Sequence, residues 1–192
     1  IKAVIRWIRG NAEKYKFDTS FIGTSGFSSG AHLASLCAAS NGVRFANKGE
    51  VTFDIEGNLG QYTDMSSFVN ACCEWSGPID LMNMDCAGKR PEAPQPEDAL
   101  MGFKYPGHED AYWLLSPIHY LNANTVPIYV LHGSEDNVVP NCQGSELYEA
   151  LQAACVKNCG FTKVEGGGHG FNMYSPENLK TMVEHFDKAR GK

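Results

Sequence analysis

No apolar run in this 192-residue sequence approaches the roughly 20 residues that a bilayer-spanning helix requires. Basic residues are few and scattered: 16 Lys and Arg against 22 Asp and Glu leave a net charge of −6. That balance argues against the basic face of a nucleic-acid binder and against the basic patch that holds a protein to an anionic membrane. There is no C-x-x-C pair, no His/Cys cluster with metal-ligand spacing and no phosphate-cradling glycine loop, so no metal or other cofactor is expected. No internal repeat and no linker divides the chain, and one domain over residues 1–192 is expected.

Cysteine is plentiful by contrast, with seven in the chain. The odd count leaves at least one thiol unpaired within the chain. Cys37 and the Cys72-Cys73 pair sit in apolar runs and read as small buried residues. Cys155 and Cys159 have helical spacing, whereas Cys86 and Cys142 fall in expected loops; either pair can be oxidised. Thiols of this kind favour a reducing compartment, which points weakly to the cytoplasm and leaves localisation open.

Hydrophobic residues make up 43% of the chain, enough for one sizeable core. Ile1 to Tyr15 carries apolar or aromatic residues at 1, 4, 5, 7, 8 and 15, close to a helical period, with charges between them that argue against a signal peptide. A short strand over Phe21–Thr24 is expected to stop at a turn at Gly26. A small-residue helix follows from Ser29 and ends at Asn41-Gly42. Residues 43–66 read as a surface excursion with one short alternating piece, Val51–Ile55.

Further strands are expected at Phe68–Trp75, Pro127–Leu131 and Phe161–Val164, with helices at about Gln143–Lys157 and Pro176–Arg190. Between Trp75 and Pro127, the proline-rich stretch 84–96 and two short helices, Glu97–Phe103 and Glu109–Leu115, make residues 84–115 a cap-like insertion. Strands alternating with helices predict an α/β fold: a mainly parallel sheet with helices on both faces.

Chemistry enters at Gly26-Phe27-Ser28-Ser29-Gly30. Alone, Gly-x-Ser-x-Gly is a weak pattern; between an apolar strand and a helix it is the nucleophile elbow of an α/β-hydrolase. Ser28 must occupy a strained turn that lifts its hydroxyl above the sheet, and the flanking glycines allow strand and helix to approach. The backbone N–H of Ser29, at the start of the helix, is placed to donate to an oxyanion. A serine hydroxyl needs a base, and the base needs an acid to orient it, here in the order Ser, acid, His.

Of the six histidines, His169 lies in a glycine-rich loop directly after the last strand and is the expected base. His185 falls within the last helix and reads as a surface or packing residue. The acid is Asp136 in His132-Gly133-Ser134-Glu135-Asp136, with Glu135 as its rival and His132 as a structural hydrogen-bonder. Trp75 and Pro78, at the carboxyl end of a strand, can line an acyl pocket, although Trp75 can equally pack in the core.

With these stretches in view, the chain resembles the C-terminal two-thirds of BD-FAE-type esterases, the α/β-hydrolase group of bacterial feruloyl and acetyl xylan esterases. The resemblance rests on Ile1–Tyr15, Ile22–Ser35, Glu56–Gly60, Trp75–Leu81, Ser116–Ile118, His132–Pro140 and Gly168–Phe171. It implies hydrolysis of acetyl or hydroxycinnamoyl esters of plant carbohydrates through an acyl-enzyme, with Ser28, Asp136 and His169 as the triad. His32 matches a family position on the elbow helix and is expected to be structural.

The family's N-terminal strands and H-G-G-G oxyanion loop have no counterpart in these residues. A sheet edge left open in this way is expected to invite self-association. Two other readings remain open: a prolyl-oligopeptidase-type serine peptidase, and a non-catalytic fragment with an incomplete oxyanion hole.

Overall fold

The computed structural model describes residues 1–88, 90 and 95–191. In chain order the elements are α1 (Lys2–Gly10), α2 (Ala12–Tyr15), β1 (Gly23–Phe27), α3 (Ser29–Ala39), β2 (Phe45–Lys48), β3 (Val51–Asp54), β4 (Ala71–Trp75), α4 (Pro96–Met101), α5 (Glu109–Leu115), β5 (Ile128–Gly133), α6 (Cys142–Ala153), β6 (Gly160–Val164) and α7 (Pro176–Arg190). Strands β1, β4, β5 and β6 form a four-stranded parallel sheet in the order β1-β4-β5-β6, and β2 and β3 form a separate antiparallel hairpin.

Strand alternation sends neighbouring residues to opposite layers. Cys72, Ile128 and Val130 pack against Ile5 of α1, Ala34, Cys37 and Ala38 of α3, and Leu147 and Leu151 of α6. Cys73, Trp75 and Leu131 face Met173 and the α7 side chains Met182 and Phe186. Helices therefore cover both faces, and Cys37, Cys72 and Cys73 are buried as their apolar settings imply.

Several boundaries differ from those expected, each for a local reason. The first helix is divided at Asn11, whose backbone and side-chain N–H groups both return to the Trp7 carbonyl. Strand β1 does not stop at Gly26. Its glycines and serine are poor strand formers, but the ladder to β4, from Gly23 opposite Ala71 to Phe27 opposite Trp75, holds them extended. The excursion over 43–66 is more ordered than its polarity suggests. It contains a hairpin, and Glu56 just beyond it pairs with the buried Arg6 and with Lys2. Arg6 also donates to the Glu56 and Leu59 carbonyls, which fastens this segment to α1.

The segment after β4 builds a satellite cluster of its own, from Leu81, Met84 and Tyr112 with Met101, Phe103 and Tyr105 packed around it. Of its prolines, Pro91 and Pro94 lie outside the described residues, and Pro96 opens α4. Cys86 from this segment is disulfide-bonded to Cys142, which begins α6 and does not lie in a loop as expected. Cys155 and Cys159 remain free thiols. Such bonds persist in oxidising surroundings, so this one does not support the reducing compartment expected from the sequence.

Candidate active site

The parallel sheet brings four strand ends to one side, and the three residues expected to form a triad lie directly after β1, β5 and β6. Ser28 is the single residue between β1 and α3, with φ 58° and ψ −123°. A serine in that left-handed region is strained by roughly 1–3 kcal/mol. Its N–H is held by the Trp75 carbonyl of β4 at 2.9 Å. A β-carbon on Gly26 would lie 2.2 Å from the Gly30 carbonyl oxygen, whereas one on Gly30 would meet nothing within 4 Å among the described residues.

Asp136 follows β5, and His169 follows β6. The Ser28 hydroxyl donates to His169 Nε2 at 2.8 Å, and His169 Nδ1–H donates to Asp136 Oδ2 at 2.7 Å. The other oxygen of Asp136 accepts the Val138 and Val139 N–H groups, both at 2.9 Å. Burial works to raise the Asp136 pKa, but the His169 bond and the two backbone donors outweigh it, and the carboxyl sits below the usual range. Asp136 therefore stays ionised against the imidazole. Glu135, its rival, is exposed and contributes only its backbone N–H, donated to the Gly167 carbonyl at 2.8 Å.

Ser29 begins α3, so its N–H has no acceptor within the helix and belongs to the positive helix end beside Ser28. His32, one turn further on, turns away from Ser28 and donates from Nε2 to the Leu115 carbonyl at 2.8 Å. His132 donates from Nε2 to the Val139 carbonyl at 2.9 Å. His185 is buried and packs on Tyr129. All three are kept from charging chiefly by burial.

Trp75 and Pro78 do not form an open wall. Both are buried, and Trp75 belongs to the core cluster with Cys73, Leu131 and Met173. The aromatic surface at the site is instead a stack the sequence did not suggest. Phe27 packs on the His169 ring at 4.7 Å, Tyr174 on Phe27 at 5.7 Å, and Tyr174 on Trp75 at 5.2 Å. Phe27 carried a signal as the residue before the serine, but Tyr174 lies in a turn with no periodicity to mark it.

The BD-FAE family model matches residues 1–151. The chain belongs to the BD-FAE family. The matched span includes Ser28 and Asp136 and ends before His169. A truncated form of a carbohydrate esterase from gut microbiota is similar over 100% of this chain and 67% of its own, with TM-score 0.95 and 39% identity. A bifunctional GH43-CE protein of Bacteroides eggerthii is 45% identical with TM-score 0.92, over 98% of this chain and 26% of its own.

Among curated relatives, Esterase LipQ of Mycobacterium tuberculosis is 27% identical over 96% of this chain and 41% of its own length. The chain thus spans about two fifths of the length of LipQ and of Esterase LipC of the same organism. The parallel sheet with helices on both faces is the α/β-hydrolase arrangement that this family shares.

Proposed function

We propose that the chain carries the catalytic triad of a serine carboxylic-ester hydrolase. The observation that supports this reading is the continuous hydrogen-bond line from Ser28 Oγ through His169 to Asp136. Ser28 Oγ attacks the ester carbonyl carbon while its proton passes to His169 Nε2. The carbonyl oxygen becomes an oxyanion facing the Ser29 N–H at the start of α3. Collapse breaks the carbonyl–alkoxy bond, and the leaving alcohol takes the proton from His169. Water then attacks the acyl-Ser28 ester, giving its proton to His169, and Ser28 leaves with that proton restored.

The substrate class in this reading is an acetyl or hydroxycinnamoyl ester of a plant carbohydrate, supported by the carbohydrate esterases among the similar proteins. A fluorophosphonate probe tests the nucleophile. Labelling of the wild type but not of Ser28→Ala is expected, and a folded wild type that stays unlabelled ends the proposal. Release of acetate or hydroxycinnamate from acylated xylo-oligosaccharides, set against a peptide amide, tests the substrate class. Strand β1 lies at one edge of the sheet. An open edge recruits other chains, so the isolated chain self-associates, which sedimentation velocity at two concentrations reads.

A further inference from the structure

Neither core packing nor the proposed reaction accounts for Glu74. It stands in the fully buried strand β4 with 0% exposure. Oε1 accepts the Gly77 N–H, and Oε2 is buried with no hydrogen-bond partner among the described residues. A carboxylate held dry with one donor is poorly stabilised. Burial accordingly pushes the Glu74 pKa up to about 8; the Gly77 N–H pulls the other way, and Asp136 adds to the rise. At neutral pH the group is an uncharged acid.

The Glu74–Gly77 bond closes the turn that ends β4, in which Ser76 takes a left-handed φ of 51°. That turn is tied to the nucleophile. The Trp75 carbonyl within it accepts the Ser28 N–H, and the Ser76 N–H is anchored on the Leu131 carbonyl of β5, both at 2.9 Å. On its outer side Gly77 abuts the elbow helix: a β-carbon there would lie 2.7 Å from the Ala31 β-carbon and 2.9 Å from the His32 nitrogen. Strain at Ser28 persists only where its surroundings over-determine it, and this turn supplies one side of that constraint.

We propose that Glu74 is a positioning residue: its carboxyl braces the turn that holds the Ser28 N–H and so keeps the strained serine in place. The proposal rests on Ser28 being the nucleophile. Loss of the Glu74 proton to solvent leaves an anion whose Oε2 has no donor. Asp136 from the loop after β5 acts on it through space, as do Cys72 and Cys73 of its own strand, Cys73 from the opposite face of the sheet; His132 lies two residues beyond its pairing partner Val130 on β5, and His32 of α3 approaches the turn through its backbone nitrogen. Burial keeps the thiols and imidazoles uncharged, so they supply no cation, and Asp136 repels. The side chain is driven toward water and releases Gly77.

Amide hydrogen exchange of the wild-type chain, Glu74→Gln and Glu74→Leu reads the brace without relying on activity. Protection of the Ser28 and Gly77 amides is expected to fall at least tenfold in Glu74→Leu and to be retained in Glu74→Gln, whose amide oxygen still accepts the bond. Between pH 7 and pH 9 the wild type is expected to lose that protection and Glu74→Gln to keep it. In parallel, wild-type kcat on an aryl acetate is expected to fall above pH 8 with KM unchanged, and this limb to vanish in Glu74→Gln. Equal protection in all three proteins at both pH values overturns the proposal. If Glu74→Leu fails to fold, the pH comparison of wild type with Glu74→Gln decides by itself. The expected protection pattern in a chain that no fluorophosphonate labels would support the brace and defeat the esterase reading.

Discussion

Gly133 and Gly167 meet backbone to backbone: a β-carbon on Gly133 would lie 2.3 Å from the Gly167 carbonyl oxygen. That same carbonyl accepts the Glu135 N–H at 2.8 Å, and the Ser134 N–H is bonded to the Val164 carbonyl at 2.9 Å. The two strand ends are thereby stitched together, which sets Asp136 and His169 at hydrogen-bonding distance. Gly133→Ala must push the histidine loop outward. Overpacking of this kind costs about 1–3 kcal/mol, and an ångström of misplacement at a catalytic base costs roughly 10²-fold in rate. A lowered kcat on an aryl ester, together with a lower melting temperature, is expected; unchanged kinetics would show that the contact does not position the base.

Asp136→Asn keeps the size of the acid and removes its charge. In the triad reading the imidazole loses both its orienting acceptor and the anion that stabilises its protonated form, and kcat is expected to drop about 10⁴-fold with little change in KM. Steady-state kinetics check this. The same carboxyl contributes to stability. Its pKa is depressed in the folded chain, so its contribution is present above the ordinary carboxylate range and is lost as pH falls through the folded value.

Glu74 has the opposite sign. Its folded pKa, about 8, lies above the unfolded value near 4.5, so the folded chain holds a proton that the unfolded chain releases. Stability is fully present below pH ~4.5 and is lost progressively as pH rises toward ~8, amounting to about 3 kcal/mol by pH 7. Glu74→Gln removes that loss. Its gain in unfolding free energy over wild type is expected to be larger at pH 7 than at pH 5, measured by urea titration at both; a pH-independent difference would show the acid ionised throughout.

The disulfide between Cys86 and Cys142 spans 56 residues and ties the segment after β4 to the start of α6. Beside it, the Gln143 side chain accepts the Ile79 and Asp80 N–H groups at 2.7 and 2.8 Å. Closing a loop of this length is worth about 2–4 kcal/mol. Cys86→Ser, or reduction of the wild type, is expected to lower the unfolding free energy by that amount. Melting with and without reductant reads the effect, and identical curves would mean that the bond does not form in solution.

Much of this protein is set by residues close together in the chain. Gly-Phe-Ser-Ser-Gly is confined by backbone sterics to a turn between strand and helix, and the Asp136 and His169 loops are marked by glycines after apolar runs. Helix α7 begins and ends where Pro176 and Gly191 place it, because proline suits a first helical position and glycine a left-handed cap. These are short-range effects and are legible without the fold. Contacts between distant segments are not. Which two of seven cysteines pair, that Trp75 is core and Tyr174 lies over it, and that Gly133 must be glycine all depend on strands brought side by side across many residues. The uncharged state of Glu74 belongs with them, since a glutamate in a strand reveals nothing of its proton until neighbouring layers have removed the water around it.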